Sequence, residues 1–81
     1  MIELSPREAQ VMQMIADGYT TDFIAYQLGI TAHKVRDYVD VVLHELDVHC
    51  REEAVAILVK LDMVHKDVTI YLGIKEDINS P

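Results

Sequence analysis

Eighty-one residues lie below the ~100–150 typical of a single domain, so one hydrophobic core is expected and two independent cores are excluded. Apolar residues make up 51% of the chain and charged residues 26%, the balance of a folded domain with a small core. Seven Lys/Arg against fourteen Asp/Glu leave a net charge of −7, which opposes non-specific attraction to nucleic acid or anionic membrane. No apolar run approaches the about 20 residues that span a bilayer, and the first residues lack the basic-then-apolar order of a secretory signal. A single cysteine, Cys50, has no internal partner, which suits a reducing cytoplasm.

The first helix is announced by Ser5-Pro6-Arg7-Glu8: a serine cap, proline in the first helical position, and glutamate three residues after the cap. Ala9, Met12, Ile15 and Ala16 then form one stripe with Val11 beside it, and Gly18 supplies the stop, which predicts a helix over about residues 6–17. Thr20 or Thr21 caps a shorter second helix, with Ile24, Ala25 and Leu28 inward and Gly29 at its end. Thr31 opens a third, over about residues 32–46, with Val35, Val39, Val42, Leu43 and Leu46 at helical spacing and Asp47 at the exit. A fourth opens near Cys50, carries Glu53 in its third position, and buries Ala54, Val55, Leu58 and Leu61. Helices this short do not persist alone in water, so they must pack on one another. The expected fold is all-α: a four-helix bundle over residues 1–65.

After His65 the period changes. Val68, Ile70, Leu72 and Ile74 alternate with Thr69, Tyr71, Gly73 and Lys75, which is strand spacing. Two readings stay open for this C-terminal extension, residues 66–81. It is a strand that pairs with a second copy of the chain, or a tail whose apolar residues lie across the bundle.

The second helix, the turn around Gly29-Ile30-Thr31 and the longer third helix have the order of a helix-turn-helix, with Ile30 as a buried wedge at the corner. Residues Leu4-Ser5-Pro6-Arg7-Glu8, Gly18-Tyr19-Thr20, Ile24-Ala25, Leu28-Gly29-Ile30-Thr31, Val35-Arg36, Leu43, Leu46 and Arg51-Glu52-Glu53-Ala54-Val55-Ala56 resemble the LuxR-type helix-turn-helix family, in one register over about residues 3–63. The resemblance implies a four-helix DNA-binding bundle, a third helix that reads the major groove, and a homodimer contact through the fourth. The chain resembles the small stand-alone members rather than regulators with an additional sensor domain.

Carried over position by position, the exposed recognition-helix positions fall on His33, Lys34, Arg36, Asp37, Tyr38 and Asp40. Arg36 can grip guanine O6 and N7 with two hydrogen bonds, and Lys34 can reach a base edge or a phosphate. Thr20 and Thr21 can offer hydroxyl and backbone N–H groups to a phosphate. The DNA-binding candidates are therefore Thr20, Thr21, His33, Lys34, Arg36 and Tyr38.

The chain departs from the family in one direction. Asp22 stands where a basic residue is common, Phe23 where glutamate is, and Tyr26 occupies the next outward position. In the third helix Tyr38 replaces a common histidine, Asp40 a small polar residue, Val41 an asparagine and Glu45 a lysine. Over residues 20–46, Lys34 and Arg36 stand against Asp22, Asp37, Asp40 and Glu45, a balance of 2 − 4 = −2. Missing phosphate contacts forfeit counterion release. A second reading therefore stands beside the transcription regulator that binds DNA as a homodimer. In it the acidic scaffold sequesters a transcription factor, polymerase subunit or other protein through Tyr19, Phe23, Tyr26, Asp37 and Asp40.

Chemistry of other kinds finds little support. His33, His44, His49, His65 and Cys50 show no paired spacing for zinc, and no phosphate loop or nucleophile elbow is present. No enzyme, no cofactor and no metal site is expected.

Overall fold

The computed structural model describes residues 2–65. The alternating segment 68–74, and with it either reading of the extension, lies outside the described residues. Four helices follow in order: α1 Pro6–Ala16, α2 Thr21–Leu28, α3 Ala32–Leu46 and α4 Arg51–Lys60. Among the described residues all regular structure is helical.

Each start is set by the residue just before it. Ser5 and Glu8 form a reciprocal capping box: the Glu8 N–H donates to Ser5 Oγ at 3.1 Å and the Ser5 N–H donates to Glu8 Oε1 at 2.9 Å. Thr20 caps α2 by accepting from the Phe23 N–H at 3.1 Å, and Thr31 caps α3 by accepting from the Lys34 N–H at 3.0 Å. Cys50 makes no side-chain cap bond to α4. Glu53 reaches back from the third helical position past the cap residue, accepting from the His49 N–H at 3.3 Å, so neither bond of a capping box forms at this start.

The four ends share one geometry. At each, a left-handed residue bonds three residues back and its successor bonds five residues back. The left-handed residues are Gly18 (φ 95°), Gly29 (69°), Asp47 (57°) and Asp62 (61°). The five-back bonds run from Tyr19 to Met14, Ile30 to Ala25, Val48 to Leu43 and Met63 to Leu58, at 2.8–3.2 Å. In this motif the residue after the left-handed position commonly packs back against its helix. Ile30, Val48 and Met63 do so and join the core. Tyr19 does not; it is 47% exposed.

α3 packs against each of the other helices. Val11 and Met12 of α1, Ile24 of α2, Val35 and Val42 of α3, Ala54 and Leu58 of α4, and Val64 are sealed from solvent or nearly so. Leu61, expected in the core, is instead 50% exposed. The helix ends at Lys60, and after the left-handed turn at Asp62 it is Val64 that enters the core, with Met63 packed against it. Beyond Val64 the chain is held by Gln13, whose amide accepts from the His65 N–H at 2.9 Å and donates to the His65 carbonyl at 2.7 Å.

Candidate nucleic-acid interface

The corner between α2 and α3 follows from Gly29 and Ile30. Gly29 takes the left-handed conformation, Ile30 folds half-buried against the core, and Thr31 restarts the helix with its own cap. The hydroxyls at the start of α2 are both engaged as acceptors: Thr20 by the Phe23 N–H, and Thr21 by the Arg51 guanidinium at 3.4 Å. Each accepts through oxygen in these bonds, which leaves a hydroxyl proton to offer a phosphate.

Successive α3 residues are turned by about 100°, so Lys34 and Arg36, two residues apart, diverge by about 160°. They lie on opposite flanks of the exposed face. Between them runs a crest of His33, Asp37, Asp40 and His44, all exposed. On the crest, His33 Nε2 lies 3.5 Å from Asp37 Oδ2, across one helical turn and in solvent. On one flank the Lys34 ammonium sits 5.2 Å above the Tyr38 ring. Tyr38, expected to be exposed, is half-buried because its position falls on the shoulder of the helix, where the ring packs partly on the core. On the other flank Arg36 joins Val39, Asp40 and Leu43 in a shallow groove against His49, Cys50, Arg51 and Glu52 at the start of α4. Among the described residues, no carboxylate lies within ion-pair distance of Lys34 or Arg36.

The aromatic candidates form a separate patch on α2. Tyr19 and Phe23 stack with ring centroids 4.8 Å apart and planes 30° from parallel, and Tyr26, one turn on, is 82% exposed. They lie apart from Asp37 and Asp40, which belong to the α3 crest. Among the described residues, no group of three or more His, Cys, Asp or Glu converges to hold a metal, and no helix is long and apolar enough to cross a membrane.

Arg51 is absent from the candidates drawn from the sequence, yet it shares a groove with Arg36 and ties the start of α4 to the start of α2. A signal was present. A cation in the first turn of a helix opposes the helix dipole, so it needs a tertiary reason to be there.

Comparison with known proteins agrees with this geometry. Residues 3–58 match the model of the family described as bacterial regulatory proteins, luxR family. The chain is similar to the transcriptional regulatory protein DesR of Bacillus subtilis (strain 168), with 40% identity over 52 residues, covering 64% of this chain and 26% of that protein. It is also similar to the two-component response regulator PprB of Pseudomonas aeruginosa, with 41% identity over 51 residues, covering 63% of this chain and 18% of that protein. The chain thus spans about a quarter or less of the length of these curated relatives. The solved structure of the transcription factor GerE superposes with a TM-score of 0.76 at 30% identity, covering 79% of this chain and 96% of that one.

Proposed function

The chain belongs to the luxR family of bacterial regulatory proteins, and from that premise we propose that it regulates transcription in the cytoplasm by binding DNA as a homodimer with α3 in the major groove. Residues 1–65 are the DNA-binding unit and 66–81 an extension to it. The observation that carries this reading is the state of the two α3 cations. Lys34 and Arg36 are exposed, and neither is neutralised by a carboxylate among the described residues. Asp37, the acidic residue closest in sequence to both, is turned toward His33 instead. Thr20, Thr21 and Arg51 supply backbone contacts beside Arg36, and His33 and Tyr38 border the same face. The exposed Val59 and Leu61 on and just after α4 suit a dimer contact there.

Fluorescence anisotropy with duplex genomic fragments across a salt series tests the reading. Wild-type binding is expected to weaken steeply with salt. Arg36→Ala is expected to cost about 5–150-fold, the worth of one bidentate contact to guanine, or to lower the log–log salt slope by about 0.9 if the contact is to phosphate. Absent or salt-insensitive binding by the wild type overturns it. The acidic crest of Asp37 and Asp40 favours a second reading, in which this face docks on a basic surface of another regulator; that reading stands alone if DNA binding fails.

A further inference from the structure

We propose that the aromatic face of α2 is a docking surface for an arginine-bearing, otherwise apolar segment of another protein. At three of the four helix ends the residue after the left-handed position turns into the core, but Tyr19 stays in solvent and stacks on Phe23. Tyr26 stands beside them, the most exposed of the three rings. Successive residues of a helix turn by about 100°, so Asp22, Tyr26 and Phe23 follow one another across an arc of about 100°, with Tyr26 one turn beyond the other two. A carboxylate therefore borders two rings on one exposed face. Among the described residues the Asp22 carboxylate has no hydrogen-bond or ion-pair partner.

Charge selects the occupant. Between Arg7 and Lys34 the sequence holds Glu8, Asp17 and Asp22 and no lysine or arginine. Arg51 does reach the start of α2, but on the Thr21 side, about 100° round the helix from Asp22 and about 160° from Phe23. A phosphate is repelled by the carboxylate, and a second copy of a chain at −7 approaches with like charge. A guanidinium answers both parts of the surface: its plane stacks on the Tyr26 ring and its N–H fork pairs with the Asp22 carboxylate. An ammonium has no plane to stack and holds its water more tightly, so lysine fits less well. The positive end of the α2 dipole opposes a cation, but Asp22 sits in that first turn and Tyr26 lies beyond it, where the effect has faded. Apolar groups beside the arginine cover the Tyr19–Phe23 stack. The surface is separate from the α3 crest, so the proposal rests on neither reading of that helix.

Nuclear magnetic resonance titration of the full-length protein, without DNA, tests the docking; the probe is a blocked synthetic peptide of alternating arginine and leucine. Ring protons of Phe23 and Tyr26 are expected to shift as the peptide is added. The lysine counterpart, equal in charge, is expected to bind about two- to fivefold more weakly, the worth of one exposed stacking contact. Tyr26→Ala, at an exposed position, is expected to weaken the arginine peptide by the same factor of about two to five. Asp22→Asn is expected to weaken it by up to about fivefold, while Asp37→Asn, an equal change in net charge elsewhere, leaves it unaltered. Equal binding of the two peptides, or equal loss in the two Asn variants, overturns the proposal, since charge alone then accounts for the contact. So do shifts confined to Asp37 and Asp40, absence of binding at millimolar peptide, or ring shifts that follow protein concentration without peptide, the last making the occupant a second copy.

Discussion

Asp47 occupies a backbone conformation that L-residues with a Cβ adopt at a cost, and its carboxylate sits at the negative end of the α3 dipole. Both penalties vanish with glycine. Asp47→Gly is therefore expected to stabilise the fold by about 0.5–1 kcal/mol, even after the extra freedom that glycine gives the unfolded chain. Thermal unfolding followed by circular dichroism checks this; a rise of about 2–8 °C corresponds for a domain of this size. At the same scale, Asp47 was legible in the sequence as a helix exit, because it follows the last apolar residue of a regular stripe. Asp62 was not, since Leu61 prolongs the α4 stripe by one more apolar residue and conceals the turn. The Arg51–Thr21 bond was equally hidden: it joins residues 30 apart, and no periodicity along one helix reports a partner on another.

Helix limits were the most readable part of the chain because they depend on local chemistry. Ser5, Thr20 and Thr31 each present a hydroxyl to an N–H three residues on; α1 and α3 begin where Ser5 and Thr31 predict, and of the two threonines open as the α2 cap it is Thr20 that serves. α4 is the exception that tests the rule. Its cap position holds Cys50, whose sulfur accepts weakly and makes no cap bond, so one N–H of the first turn loses its usual partner. The backbone at Cys50 is already extended, as a cap requires. Cys50→Ser is thus expected to add about 0.5–2 kcal/mol, read as a higher urea midpoint at unchanged slope. No shift at unchanged slope would mean that the first-turn N–H groups of α4 are as well satisfied by water as by a serine hydroxyl. The aromatic patch on α2 shows the reverse of local legibility. Helical spacing marks Tyr19, Phe23 and Tyr26 as outward, but the Tyr19–Phe23 stack depends on how the α1–α2 corner turns, which spacing alone does not determine.

For the molecule as a whole, a charge of −7 and a family built to approach a polyanion pull in opposite directions. The arrangement on α3 bears on that conflict. Composition counts Lys34 and Arg36 against four carboxylates over residues 20–46, but it does not say that both cations escape those carboxylates or that they face apart. The divergence has a geometric cause, since a spacing of two residues places side chains nearly across a helix from each other. Under the proposed DNA-binding reading it also has a consequence for the kind of nucleic acid the domain would prefer. With α3 inserted as proposed, a double helix offers two sugar-phosphate rails, one on each side of the helix, so Lys34 and, where it contacts phosphate rather than guanine, Arg36 would each meet a rail of their own. An unpaired strand has only one, and whichever cation takes it leaves the other in water while the acidic crest is drawn toward the same backbone. Duplex competitor should therefore displace a bound probe at far lower concentration than either of its separated strands, and equal competition by the two forms would show that the opposed cations do not act together.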